Sequence, residues 1–183
     1  MTRLANVPTL VVIGPVGAGK TTLIARLLAA RPHAETWAVL ANDRGAVRIS
    51  PRDGVSVAAV GGGCVCCTAQ LALRVALTRL LRKARPARLF VELDAVSHTR
   101  EALKTLRNPW FAPIVAIEAV IGVFGGGGDP TGAAIQASLA ACDVVCVRGD
   151  PAAFAPLAAG QRVLAPRDAT LAALQGVSVR DPR

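Results

Sequence analysis

The chain has 183 residues, half of them hydrophobic but only 3% aromatic and none Tyr, so its core has to be built from Ala, Val and Leu, the composition of a parallel sheet covered by helices. The formal charge of +9 rests on 18 Arg and 3 Lys scattered through the chain, and without interleaved aromatic residues it offers no stacking platform for bases; nucleic acid is not an expected partner. The opening apolar run is too short for a signal peptide, no stretch has the length of a membrane span, and the five cysteines do not suit a disulfide framework, which reads as a cytoplasmic protein with no membrane partner.

In chain order, TLVVIG (Thr9–Gly14) is a buried strand, followed by a glycine-rich turn and a helix from Lys20 to about Ala30. WAVLAN (Trp37–Asn42) and VSVAAV (Val55–Val60) are the next strands. A helix is expected from Thr68 to about Ala84, with Leu71, Val75 and Leu80 or Leu81 on its apolar face. Further strands lie in RLFVEL (Arg88–Leu93), PIVAIEAV (Pro113–Val120) and DVVCVR (Asp143–Arg148), with a weak last one in QRVLAP (Gln161–Pro166). GGGGDPTG (Gly125–Gly132) reads as a loop, because the alternation resumes beyond it. Strands alternating with helices at this spacing predict an α/β three-layer αβα sandwich with a mainly parallel sheet.

Gly14 to Thr21 reads GPVGAGKT, which matches the P-loop pattern GxxxxGK followed by Thr, with a strand before it and a helix after it. Small residues let the backbone curl so that successive amides face a phosphate; Gly14, Val16, Gly17, Ala18, Gly19 and Thr22 supply that wrapping. Lys20 is expected to reach the β- and γ-oxygens and Thr21 to give its hydroxyl to Mg2+, while the helix N-terminus adds its dipole. Hydrolysis also needs groups that hold magnesium and the attacking water. Asn42 and Asp43 follow the second strand; Glu92 and Asp94, two apart and on one face, end the fourth. Acids at the carboxyl ends of strands lie where an open α/β sheet binds ligands. Glu92 follows LFV, so its carboxylate enters a core and needs a partner.

GGGCVCC (Gly61–Cys67) places three thiols within four residues. Three thiolates suit three corners of a tetrahedral zinc site, and the helix that follows favours the thiolate form. A redox pair between Cys64 and Cys67, or inert packing, also fits the residues alone. Cys146, inside an apolar strand, reads as a small core residue. His33 and His98 read as surface imidazoles.

GPVGAGKTT, NDRGAV, GGGCVCCT, FVELDAVS, VAIEAV and QASLAACDVVCVRGD, in that order, resemble the CobW-type P-loop GTPases, relatives of the nickel-insertion GTPases of urease and hydrogenase. The resemblance covers most of Thr9–Asp150 and implies one nucleotide-binding domain over 1–183, without the C-terminal domain typical of the family. It implies Mg-GTP as the nucleotide, a slow GTPase activity with Lys20, Thr21 and Glu92 as its catalytic groups, and magnesium held by Thr21 and Glu92. Cys64, Cys66 and Cys67 become ligands for Zn2+, or Co or Ni, delivered to a client metalloprotein; a homodimer is compatible with it. In the family's base-reading NKxD motif, Arg148 and Asp150 stand at the Lys and Asp positions and Val147 at the Asn position, while Ala95 replaces a switch glycine. Asp150 would accept the two guanine donors that adenine lacks, with Arg148 laid over the base. Because of the two replacements, a nucleotide- and metal-binding regulator without turnover is the second expectation. A small-molecule P-loop kinase is a weaker third, since the arginines are dispersed and form no lid.

Overall fold

The protein is described from a computed structural model over residues 5–42, 49–60, 67–94, 99–125, 132–150 and 161–174. Seven strands, β1 (Val7–Gly14), β2 (Trp37–Asn42), β3 (Val55–Val60), β4 (Arg88–Asp94), β5 (Val115–Gly125), β6 (Val144–Arg148) and β7 (Arg162–Leu164), form one sheet in the order β3-β2-β4-β1-β5-β6-β7. Every pairing between these strands is parallel, so each chain crossing returns over a face of the sheet. The helices are α1 (Lys20–Leu28), α2 (Cys67–Ala84), α3 (Thr99–Leu106), α4 (Ala133–Ala140) and the single turn α5 (Leu171–Leu174).

Strand β1 shows why the sheet must be covered on both sides. Val11 and Ile13 join one core with Leu77 and Leu81 of α2 and Leu103 and Leu106 of α3. Leu10 and Val12 join the other with Leu23, Ile24 and Leu27 of α1 and Leu174 of α5. Successive side chains on a strand point to opposite faces, so an apolar run with no alternation has to be buried twice. The three-layer αβα sandwich expected from the sequence is the observed architecture.

Two expectations are corrected. Leu71 and Val75 do not form the buried face of α2: they are 62% and 39% exposed, and the helix buries Leu73, Leu77, Leu80 and Leu81. The helix carries two apolar series at helical spacing, and the second is backed by Ala76 and Ala84 against the same core, giving the wider stripe that packing selects. The fifth strand runs over Val115–Gly125, not Pro113–Val120. It lies between β1 and β6 and bonds to both, and its register on β1 slips so that Thr9 faces Ile117 while Leu10 faces Ala119. The extra residue, Glu118, is a bulge in β5. Its carboxylate accepts a hydrogen bond from the Arg88 guanidinium at 2.6 Å, and Arg88 in turn lies 5.8 Å from the centre of the Trp37 ring. Helices α3 and α4 were not expected from the sequence at all; α4 is Ala-rich and apolar all round, with little periodicity to read.

Where β6 begins, Asp143 is buried and locks β6 to β5 in both directions. Its carboxylate accepts the Val120 N–H at 2.7 Å, and its own N–H donates to the Val120 carbonyl at 2.8 Å. Asp143→Ala strands a buried backbone N–H, so chemical denaturation should show a loss of about 1–3 kcal/mol; a variant with unchanged midpoint would remove the lock from the account.

Cys142 and Cys146 are both fully buried, as expected for Cys146, and the Cys142 thiol donates to the Ser138 carbonyl at 3.0 Å. Burial pushes the Cys146 thiol up to about 12, with the Arg26 guanidinium partly offsetting. Burial, with the Asp143 carboxylate and Cys146 beside it, pushes Cys142 above the ordinary thiol range. The folded chain therefore keeps protons that the unfolded chain releases. This contribution is complete below the unfolded thiol value of 9.0 and is lost as pH rises above it towards the folded values. The unfolding free energy from urea titrations should fall between pH 9 and 11 with a slope approaching about 1.4 kcal/mol per pH unit per thiol, and Cys142→Ala/Cys146→Ala should flatten that dependence.

Candidate nucleotide and metal site

The P-loop leaves β1 at its carboxyl end, in the middle of the sheet. Gly14 pairs with Asp94 of β4 on one side. On the other side it is pressed so close to β5 that a Cβ would stand 2.2 Å from the Val123 carbonyl oxygen. Only glycine fits there, for packing as much as for the turn. The loop closes on itself through Ala18 N–H to the Pro15 carbonyl at 3.3 Å. Gly19 then caps α1 in a left-handed conformation (φ 104°) with no side-chain cap and no acid in the first helical turn. An N-terminus of this kind presents backbone donors and a positive dipole end with no carboxylate of its own to occupy them.

Lys20 and Thr21, the first two residues of α1, are both buried. The Lys20 ammonium donates to the carbonyls of Gly14 and Pro15 at 2.8 and 2.9 Å, which folds it across the loop. The Thr21 hydroxyl donates to Oε1 of Glu92 at 2.7 Å. Glu92 is 4% exposed, so its place in an apolar strand demands partners, and this hydroxyl, 71 residues away in sequence, is one. The two strands bring them together, since Val12 of β1 is in register with Glu92. A hydroxyl and a carboxylate side by side are hard oxygen donors of the kind a small divalent cation such as Mg2+ takes. Ala18 is buried, whereas Val16 and Thr22 are exposed on the loop and helix.

The end of β6 comes to the same loop from the other side. Arg148 is exposed, its guanidinium donates to the Gly17 carbonyl at 3.4 Å, and its Cδ lies where a Cβ on Gly19 would be in contact, at 3.4 Å. Gly149 and Asp150 follow it at the surface. Val147 points the opposite way: it is 1% exposed and belongs to the core that α2 and α3 help to cover. The position that carries Asn in NKxD is thus a core position here. The close fits of Val123 on Gly14 and of Arg148 on Gly125, where a Cβ would meet the Arg148 carbonyl at 2.3 Å, were not expected from sequence. Glycines at both strand ends were the only signal.

Of the remaining expected residues, Asn42 ends β2 and Asp94 ends β4, at the same edge of the sheet as the P-loop. Cys67 is the first residue of α2. Asp43, Cys64, Cys66, Ala95 and His98 lie outside the described residues. Among the described residues no helix is long and apolar enough to cross a membrane.

Residues 8–148 match the family model described as "CobW/HypB/UreG, nucleotide-binding domain". The chain is 36% identical over 117 residues to the zinc chaperone YeiR of Escherichia coli (strain K12), an alignment that takes 62% of this chain and 36% of that protein. The chain therefore spans about a third of that curated relative. Among solved structures, a Zn(II)-bound triple mutant of the YjiA GTPase superposes with a TM-score of 0.63 at 18% identity, over 87% of this chain and 57% of that one. Zn(II)-bound YjiA from E. coli gives 0.54 at 17%, over 78% and 49%. The hydrogenase maturation factor HypB from Archaeoglobus fulgidus gives 0.52 at 15%, over 92% and 84%. These structures share the fold, and the match at 8–148 contains the P-loop and the strands from β1 to β6. This chain belongs to the CobW/HypB/UreG family of nucleotide-binding domains.

Proposed function

We propose that the protein binds Mg-GTP at the loop Gly14–Thr22 and couples its slow hydrolysis to the binding and delivery of a transition metal, with Zn(II) as the metal. The observation that carries the nucleotide half is the buried Thr21–Glu92 hydrogen bond directly beneath the loop. The metal half is supported by the thiols of GGGCVCC and by the likeness to a zinc chaperone.

In this reading the amides at the start of α1 and the Lys20 ammonium hold the phosphates. Thr21 and Glu92 hold Mg2+, which neutralises charge on the phosphate oxygens. Thr21 is held in place by the carboxylate, so its hydroxyl needs little reorganisation. Arg148 lies against the loop and Asp150 accepts from the guanine edge. Asn42, Asp43 and Glu92 belong to the segments that respond to the γ-phosphate, and Cys64, Cys66 and Cys67 take the metal as cargo. Loss of the γ-phosphate relaxes those segments and lowers metal affinity, which passes the ion to a client metalloprotein.

Phosphate release from GTP and ATP, with and without one equivalent of Zn(II), tests the whole reading. GTP turnover that responds to Zn(II) is expected, and Lys20→Ala should lower it by two orders of magnitude or more. Tight GTP binding with no turnover would instead favour the regulator reading, which the burial of Val147 in the core supports.

Two substitutions separate the halves. Asp150→Asn should weaken GTP at least tenfold and improve XTP, because the amide donates where the carboxylate accepted; unchanged selectivity would move base recognition elsewhere. Cys66→Ser should lower Zn(II) affinity at least tenfold in a competitive chelator titration while GTP binding stays the same.

A further inference from the structure

Of the large apolar side chains most exposed among the described residues, Val16 belongs to the P-loop and the other three do not: Leu71, Val75 and Trp110. The site described above uses none of these three. Leu71 and Val75 lie on α2, on a face that also carries Arg74, Thr78, Arg82 and, just past the helix end, Arg85. At 100° per residue these six positions fall within one side of the helix, opposite the buried Leu73, Leu77 and Leu80. From Arg74 to Arg85 this face borders a cleft of about 320 Å3. Arg74, Arg82 and Arg85 line it on the helix side, the buried Leu81 and Phe111 give it an apolar floor, and Trp110, 74% exposed, stands on the other side.

The charge of this surface is one-sided. Helix α2 contains Arg74, Arg79, Arg82 and Lys83 and no acid, and no acid lines the cleft. Among the described residues none forms an ion pair with Arg74, Arg82 or Arg85. Arg85 also occupies a left-handed conformation, φ 43°, at the end of the helix, where its N–H bonds back to the Leu81 carbonyl at 3.1 Å. Glycine takes that conformation without steric cost and is the usual residue at such a helix end. An arginine there aims a third guanidinium at the cleft in spite of the backbone.

We propose that this surface is a docking site for an acidic segment of a partner protein, with an apolar side chain seated between Trp110 and Phe111 and its carboxylates on Arg74, Arg82 and Arg85. From Leu71 to Arg85 the face extends about 21 Å at 1.5 Å per residue, too long for a small anion and the reach of about six to seven extended residues. Guanidinium forks pair with carboxylates in bidentate geometry, and an aromatic anchor in an apolar cleft ringed by arginines has the composition of an interface centre. The same helix begins at Cys67, so an occupant would lie along the element that follows the thiol segment. That it is the metal's recipient rests on the proposed function; the docking itself does not.

The test is fluorescence anisotropy with a fluorescein-labelled nonapeptide of Glu and Asp around a central Leu-Phe pair. It is run on the full chain in EDTA without nucleotide, so a failed GTPase or Zn(II) assay leaves its result standing. Saturable binding is expected that weakens with added NaCl and falls at least tenfold in Arg82→Glu/Arg85→Glu and, separately, in Trp110→Ala. All variants are checked for an unchanged thermal melt. The same peptide with Lys for each acid should not bind. Absence of binding, or binding that these substitutions leave unchanged, overturns the proposal. So does tighter binding of a 12-nucleotide oligouridylate through the same arginines, which would make the surface an RNA site.

Discussion

A hydroxyl on the first turn of α1 and a carboxylate near the end of β4 meet, buried, beneath the P-loop, Thr21 to Glu92 at 2.7 Å. An ionised carboxylate in an apolar strand is costly unless something donates to it, and the P-loop helix is the element that does. The contact requires β4 to lie beside β1 in parallel register, with Val12 opposite Glu92. It also requires α1 to start immediately at the loop, which Gly19 permits by taking a left-handed conformation. Neighbouring features of the site follow from the same placement. Lys20 folds over the loop because it precedes Thr21 on the helix, and Gly14 touches β5 because β1 is pressed between β4 and β5.

The opposite end of the sheet is secured by different chemistry. Arg88, at the start of β4, pairs with Glu118 of the β5 bulge and lies near the Trp37 ring, and the Trp37 indole N–H donates to Glu35 at 2.6 Å. The Arg88–Glu118 pair joins β4 to β5 across the intervening β1. Asp143 does the corresponding work between β5 and β6. Charged pairs thus lie toward the amino ends of the strands, whereas the carboxyl ends carry the groups proposed to meet a ligand, the division expected of an open parallel sheet.

Much of this was legible in the residues. Unalternating apolar strands called for two covered faces, and GPVGAGKT between a strand and a helix called for a phosphate loop; both are where they were expected. Glu92 stood out because a carboxylate after LFV needed a partner, though nothing local named Thr21. Arg148 was expected beside the base and lies against Gly17 and Gly19, while Val147 turned out to be a core residue. The misreading of α2 has a simple cause: Leu71 and Val75 are as well spaced for burial as Leu73 and Leu77, and periodicity does not say which series meets the sheet. The β5 bulge was hidden for a related reason: in a strand buried on both faces no alternation marks where one residue is inserted.

The sequence by itself determined the layer architecture, the phosphate loop and the family, because these depend on local spacing: two-residue and 3.6-residue periodicities, and small residues at fixed offsets around Lys20. Tertiary structure alone decided where β5 slips on β1, which face of α2 stays in solvent, and that an arginine-lined cleft forms beside Trp110. Each of those joins residues far apart in the chain, and such contacts exist only once strand order and register have chosen among local patterns that are equally good on their own.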